Sequence, residues 1–110
     1  MYNTLITIFI EVDDFCKLYL NEIGAILKTL YKKNIDMKHK MTISEIITLT
    51  IFFHIAHKTT FKDYYYDVVI GQLKHDFKNL LSYERFVELK NKYSFLTLYF
   101  LEIKMQKNRE

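Results

Sequence analysis

The centre of the chain reads Ile43-Ser-Glu-Ile-Ile-Thr-Leu-Thr-Ile-Phe-Phe-His54, then Phe61-Lys-Asp-Tyr-Tyr-Tyr-Asp67, then Leu80-Leu-Ser-Tyr-Glu-Arg-Phe-Val-Glu-Leu-Lys90. Each piece is rich in apolar side chains and includes, or directly follows, a polar residue of the type that starts helices. Short polar segments separate the three pieces. We therefore predict three successive helices that pack against one another into a compact helical unit.

The helix start signals can be placed on single residues. Thr42 and Glu45 form a T-x-x-E capping box, in which each side chain satisfies one backbone N–H at the helix start. Thr60, with Asp63 in the following turn, is a fair N-cap, and Ser82 is another. The sequence thus predicts helices over residues 43–57, 61–75 and 83–103. The first of these is apolar on most sides and should be the most buried.

A longer amphipathic segment precedes this centre, from about Thr4 to Tyr31. Its apolar positions recur every three or four residues, at Leu5, Ile8, Phe9, Val12, Cys16, Tyr19, Ile23, Ile26, Leu27 and Leu30. The β-branched run over residues 6–10 also fits a strand, but no partner strand is evident, so we expect a helix. Residues 32–41 are polar, break the periodicity and are predicted to form a loop.

Two further series of apolar side chains are expected to face the core. On the helix at residues 61–75 they are Phe61, Tyr64, Tyr65, Val68, Val69 and Leu73. On the last helix they follow a near-heptad rhythm and are Phe86, Leu89, Tyr93, Leu96, Phe100 and Ile103. Tyr66 should point away from Tyr64 and Tyr65, which weakens any interpretation of the three tyrosines as one stacking platform for bases.

Composition supports one all-α domain. The chain has 110 residues, half of them hydrophobic, with no proline and two glycines, which favours long helices over a sandwich of short strands. We predict a small bundle of about four helices. It should form a single domain over residues 1–103, followed by a polar, frayed tail over residues 104–110.

Charge, cysteine content and hydropathy limit the cellular setting. The net charge of +3 is too small to establish nucleic-acid binding by itself. Cys16 is the sole cysteine, which excludes an intrachain disulfide, and the start of the chain does not resemble a secretory signal, so a cytoplasmic location is expected. The apolar runs Ile46–Phe53 and Phe95–Ile103 are far shorter than the roughly 20 residues that span a bilayer, so no membrane partner is predicted.

Catalytic and metal-binding patterns are weak. His54 and His57 are spaced for one face of a helix, but no further ligand stands at a recognised offset. Glu11, Asp13 and Asp14 point in different directions on a helix, so they are predicted to belong to a solvated face rather than to one carboxylate cluster. The sequence has no phosphate-binding glycine loop, no Ser/His/Asp arrangement and no paired cysteines. It therefore predicts no cofactor and no metal.

One segment does suggest a function. The helix from Phe61, the polar connector Asp76-Phe-Lys-Asn79 and the Ser82-capped helix can form a helix-turn-helix-like element, whose second helix enters the DNA major groove. Phosphates would be held by Lys74, His75 and Lys78 in the turn before the second helix, and base edges would be reached from that helix, with Arg85 suited to guanine and Asn91 to adenine. The candidate DNA-binding residues are Lys74, His75, Lys78, Ser82, Tyr83, Arg85, Lys90 and Asn91. An ordinary helical hairpin with a polar face is the alternative.

The amino-acid sequence resembles the N-terminal region of DDE-type bacterial insertion-sequence transposases. The resemblance covers about residues 4–93 and is carried by Leu5–Cys16, Ile43–His54, Phe61–Tyr66 and Leu73–Leu89. Its strongest pieces are Val12-Asp-Asp-Phe-Cys16, Ser44-Glu-Ile-Ile47 with Phe53-His54, and Ser82-Tyr-Glu-Arg-Phe-Val-Glu-Leu89. They occur in the order and at the separations that the family shows.

The resemblance implies a helical region that binds the terminal inverted repeats of a mobile element. In that family an RNase H-like domain follows, and its three acidic residues hold two divalent metal ions for strand transfer. The first of these would lie beyond Glu110, and it corresponds to none of Asp13, Asp14, Asp63, Asp67 and Asp76. The expectation is a truncated transposase that binds double-stranded DNA and is not itself an enzyme.

Two alternatives remain from the sequence. Apolar residues on the last helix lie outside its heptad seam, at Phe95, Leu98, Tyr99 and Leu101. One small bundle need not cover them all, so the chain could be a helical protein–protein interaction module, including a homodimer. The other alternative is an inactive pseudogene product.

Overall fold

The computed structural model describes residues 2–31 and 40–109. These ranges contain five helices and no strand: α1 (Tyr2–Tyr31), α2 (Ile43–Phe52), α3 (residues 61–73), α4 (Tyr83–Lys92) and α5 (Ser94–Arg109). The all-α prediction is confirmed, and the strand alternative for residues 6–10 is excluded because they lie within α1. The helix count differs from the expected four, and a helix-turn-helix element is not confirmed.

Helix α1 packs along α2, which in turn contacts α4 and α5. On the first half of α1, the predicted apolar positions Leu5, Val12 and Cys16 are buried. Phe15, which was not among the predicted apolar positions, is buried with them. The side chains of Ile23, Ile26, Leu27 and Leu30, which were predicted to face inward, are not among the side chains that the structure describes. Most of the predicted loop at residues 32–41 also lies outside the described residues. Met41, at the end of that loop, is fully buried.

Helix α2 begins with the predicted capping box. The Glu45 backbone N–H donates to the Thr42 hydroxyl at 3.1 Å, and the Thr42 N–H donates to the Glu45 carboxylate at 2.9 Å. Seven of the ten residues of α2 are buried, which confirms it as the central helix.

The prediction that α2 runs to His57 is wrong, since the helix ends at Phe52. Its last turn tightens, as the N–H groups of His54 and Ile55 donate to carbonyls three residues earlier. His57 then adopts a φ of 58°, in the left-handed region that reverses the chain.

Helix α3 is continuous but not uniform. It consists of an α-helical start (Phe61–Tyr64), a π-helical middle (Tyr65–Ile70) and an α-helical end (Gly71–Leu73). The Thr60 N-cap is confirmed, with its hydroxyl accepting from the Asp63 N–H at 3.1 Å. The helix ends two residues earlier than expected. The predicted inward set is confirmed, with Phe61 partly buried and the others fully buried.

The single helix predicted over residues 83–103 is two helices, because the backbone at Tyr93 leaves the helical region (φ −102°, ψ 16°). The Tyr93 carbonyl starts the new helix by accepting from the N–H groups of Leu96 and Thr97. This break lets the predicted heptad side chains of α4 and α5 reach one core. Within the predicted frayed tail, residues 104–109 are helical and form the last turns of α5.

Aromatic side chains join the two ends of the chain. The ring centroid of Phe15 on α1 lies 5.4 Å from that of Phe100 on α5, and Tyr99 and Tyr19 extend this contact. Glu11 and Lys104 form an ion pair beside it. Among residues 2–31 and 40–109, no helix is long and apolar enough to cross a membrane.

Candidate nucleic-acid interface

Helix α4 starts where the sequence predicts. Ser82 has extended backbone angles, and its hydroxyl accepts a hydrogen bond from the Arg85 N–H at 3.2 Å. Phe86 and Leu89 are buried on one side of α4, so the opposite side faces solvent. The first turn of α4 carries the exposed side chains of Glu84 and Arg85, and Ser82 accepts hydrogen bonds from the Arg85 and Phe86 N–H groups.

The eight predicted contact residues divide by their exposure. Six are exposed and stand on the outer side of α4 or on the connector, which in the structure comprises residues 74–82 between α3 and α4: Lys74, His75, Lys78, Ser82, Arg85 and Asn91. Tyr83 and Lys90, which were also expected to point outward, are partly buried. The Lys90 ammonium lies 4.8 Å from the Phe61 ring centroid, a cation–π contact that holds its stem against α3.

A layer of aromatic rings fixes α4 against α3. The Tyr65 and Phe86 ring centroids are 4.9 Å apart, and Tyr83 lies 6.0 Å from Tyr65 and 5.7 Å from Tyr66. Tyr66 remains 44% exposed, so the prediction that it diverges from its two neighbours is confirmed. Rings this close restrict the positions that Tyr83 can adopt, which orients the first turn of α4.

Tyr65 also anchors the connector. Its hydroxyl donates to the Leu81 carbonyl at 2.5 Å, one residue before the Ser82 cap. Burial raises the pKa of Tyr65 to about 12. The connector, residues 74–82, is longer than the three- or four-residue turn that is typical of a helix-turn-helix. The tyrosine contact supplies the restraint that a short turn would give. Sequence reasoning identified Tyr65 as buried but had no signal for this partner.

The charges of this surface are mixed. The Arg85 guanidinium pairs with the Glu88 carboxylate at 3.0 Å, on the exposed side of α4, and Glu84 is exposed nearby in sequence. An exposed pair of this kind contributes only about 0.2–1 kcal/mol, so Arg85 can exchange Glu88 for another anion at small cost. The positive charge available to a phosphate backbone comes mainly from Lys74 and Lys78 on the connector.

Asp13 and Cys16, which lie on α1 outside this surface, have structural surroundings. The Ser44 hydroxyl donates to the Asp13 carboxylate at 2.9 Å, and Lys17 pairs with Asp13, which lowers the pKa of that carboxyl. Burial raises the pKa of the Cys16 thiol, as expected for a core cysteine. Within the described ranges, no three His, Cys, Asp or Glu side chains are grouped to hold a metal ion.

Comparisons with protein-family models, with curated proteins and with solved structures find no match to this chain.

Proposed function

We propose that the chain is a DNA-binding helical unit that contacts duplex DNA through the connector and α4. The observation that carries this proposal is the Ser82-capped first turn of α4, which exposes Arg85 and follows a connector with three exposed basic residues, Lys74, His75 and Lys78. Helix N-termini and nearby lysines are the groups that commonly hold backbone phosphates.

In this proposal α3, the connector and α4 act together as a helix-turn-helix-like unit. Lys74 and Lys78 hold phosphates, while Arg85 and Asn91 reach base edges from the exposed side of α4. Tyr83 and Lys90 have a supporting role, because they pack against α3. The resemblance to transposase N-terminal regions supports terminal inverted repeats as the DNA target. The proposed activity is binding, with no strand transfer by this chain.

We also propose that the protein acts in the cytoplasm. Cys16 is a free, buried thiol. Unpaired cysteines of this kind are typical of proteins in reducing compartments.

Fluorescence anisotropy can test DNA binding with two labelled 30-bp duplexes. One carries the inverted repeat found nearest the coding sequence, and the other has random sequence. We expect affinity for the repeat to exceed that for random DNA by roughly 10³-fold or more. We also expect affinity to decrease as the salt concentration is raised from about 50 to about 200 mM. Equal affinity for both duplexes, or binding that ignores salt, would contradict the proposal.

Variants that remove positive charge can locate the DNA-binding surface. The Lys74→Gln/Lys78→Gln protein should lose about two units from the slope of log affinity against log salt. The Lys17→Gln/Lys40→Gln protein loses the same charge from exposed positions elsewhere and should keep the slope. Arg85→Gln should cost about 1–3 kcal/mol on the repeat and much less on random DNA. Equal effects of the two double variants would assign binding to general charge rather than to the connector.

A further inference from the structure

A row of four aromatic rings runs from the core to the surface between α3 and α4. From inside to outside, the row consists of Phe86, Phe61, Tyr83 and Tyr66. Successive ring centroids are 5.8, 6.4 and 5.7 Å apart, and successive ring planes are inclined by 22°, 37° and 34°. Phe86 is fully buried, whereas Tyr66 is 44% exposed. Moderate tilts at these distances are typical of offset stacking, and the exposed end of the row is where a further planar ring can be added.

The backbone at the exposed end of the row is unusual. Tyr66 lies in the π-helical middle of α3. Single π-helical turns are rare and are frequently found at functional sites. The adjacent Tyr64 and Tyr65 are fully buried, so Tyr66 alone of the three consecutive tyrosines is available to a ligand.

Two lysines flank Tyr66 on the same face of α3. Lys62 stands four residues before it, and Lys74 stands eight residues after it, where the backbone still has helical angles (φ −62°, ψ −25°). Both lysines are exposed, and neither forms an ion pair with any side chain that the structure describes. Asp63 and Asp67, the acidic residues of α3, lie one position further along and so about 100° around the helix. The face that carries the exposed ring is therefore basic.

An aromatic ring between lysines matches the chemistry of a single nucleic-acid strand, in which planar bases alternate with phosphates. In a duplex the faces of the bases are covered by their neighbours, so an unpaired base is the one that can stack on an exposed ring. Tyr66 also contacts Tyr83, in the first turn of α4, which makes this face continuous with the proposed DNA surface.

We propose that Tyr66 stacks on an unpaired nucleobase, while Lys62 and Lys74 hold phosphates of the same strand. The ligand is then a duplex that continues into a single strand. This inference rests on the proposed function, because the connector and α4 hold the duplex from which the strand extends.

Fluorescence anisotropy can compare a blunt duplex with the same duplex extended by a few unpaired nucleotides on either strand. We expect the extended duplex to bind about 5- to 150-fold more tightly. Tyr66→Leu should remove this preference and keep the affinity for the blunt duplex, whereas Tyr66→Phe retains the ring and should keep the preference. Tyr99→Leu is the matched control, because Tyr99 is 45% exposed and also contacts other rings but stands on α5.

The fluorescence of 2-aminopurine in the extension reports stacking itself, because the emission of this base is quenched when it stacks on another ring. We expect quenching by the parent and by Tyr66→Phe but not by Tyr66→Leu. Equal affinities for blunt and extended duplexes, or a preference and quenching that Tyr66→Leu retains, would overturn the inference and leave the proposed function in place. Failure to bind either duplex would refute the proposed function and the inference with it.

Discussion

At the residue scale, three consecutive tyrosines have three different roles. The Tyr64 hydroxyl donates to the Leu49 carbonyl at 2.6 Å, near the end of α2, and the Tyr65 hydroxyl donates to Leu81 on the connector. Tyr66 is exposed. Burial raises the pKa of both Tyr64 and Tyr65. The Tyr64 hydroxyl shares the Leu49 carbonyl with the Phe53 N–H, whereas the Tyr65 hydroxyl bonds a carbonyl that lies outside the helices.

We predict that Tyr65→Phe lowers the free energy of unfolding by about 1 kcal/mol at neutral pH, because the partly buried Leu81 carbonyl loses its donor. Tyr66→Phe is the control, since it removes an exposed hydroxyl and should change stability by less than about 0.5 kcal/mol. Urea unfolding followed by circular dichroism measures both. Equal effects of the two substitutions would show that the Tyr65 hydroxyl does not stabilise the connector.

The same hydroxyl makes stability depend on alkaline pH. An unfolded tyrosine ionises near pH 10, whereas Tyr65 in the folded protein has a pKa of about 12. Between these values the unfolded state releases a proton that the native state keeps, so stability is full below pH 10 and falls as pH rises toward 12. The slope should be about 1.4 kcal/mol per pH unit for Tyr65.

Urea titrations at pH 9, 10 and 11 check this, with Tyr65→Phe compared to the parent. The variant should lose stability less steeply, and ionisation of lysines cancels in the comparison because both proteins contain the same ones. Parallel curves for the two proteins would contradict the linkage.

At the element scale, the end of α2 shows why the end of a helix can be mispredicted from the sequence. Neither glycine nor proline stands near residue 57, so the pattern predicted a helix through His57. The structure ends the helix at Phe52 and places His57 at a φ of 58°. This conformation is costly for a side chain with a Cβ atom, by roughly 1–2 kcal/mol, and packing of the following helix compensates for it.

We predict that His57→Gly raises the free energy of unfolding by up to about 1 kcal/mol, because glycine adopts positive φ without the clash. His54→Gly is the control, since His54 has no positive φ and glycine there should cost about 0.5–1 kcal/mol. Thermal unfolding of the two variants should therefore shift in opposite directions. A lower melting temperature for both would mean that the turn is not strained.

In the candidate site, too, local interactions were predicted from the sequence and contacts between helices were not. The Ser82 cap was predicted correctly from one residue and its neighbours, because capping is a local interaction. The contacts that partly bury Tyr83 and Lys90 could not be predicted in this way, because Tyr65, Tyr66 and Phe61 belong to a different helix. Helical periodicity gives the direction of a side chain but does not give the surface that it meets.

At the scale of the whole molecule, contacts between distant parts of the chain hold the first and last helices together. Phe15 meets Phe100 with an edge contact, at an angle of 68° between the rings. The Glu11–Lys104 pair lies beside these rings. Such contacts make α1 and α5 depend on each other for stability.

We predict that Phe15→Leu and Phe100→Leu are not additive. Each should cost up to about 1.5 kcal/mol, and the double variant should cost less than their sum by about 0.5–1 kcal/mol, because the ring contact is lost once. Phe15→Leu with Phe86→Leu is the control pair, since Phe86 stacks on Phe61 and Tyr65 instead, and should be additive. Chemical denaturation of all variants gives the coupling energies. Additivity in both pairs would refute a direct Phe15–Phe100 interaction.

The sequence by itself determined the helical class, the three N-caps at Thr42, Thr60 and Ser82, and most of the buried positions, because capping and periodicity depend on residues within a turn or two. Tertiary structure alone decided the end of α2, the π-helical middle of α3 and the break at Tyr93. It also brought α1 beside α5, where Phe15 meets Phe100 and Glu11 pairs with Lys104. These features arise from packing between segments far apart in sequence, and a local pattern carries no information about which segments meet.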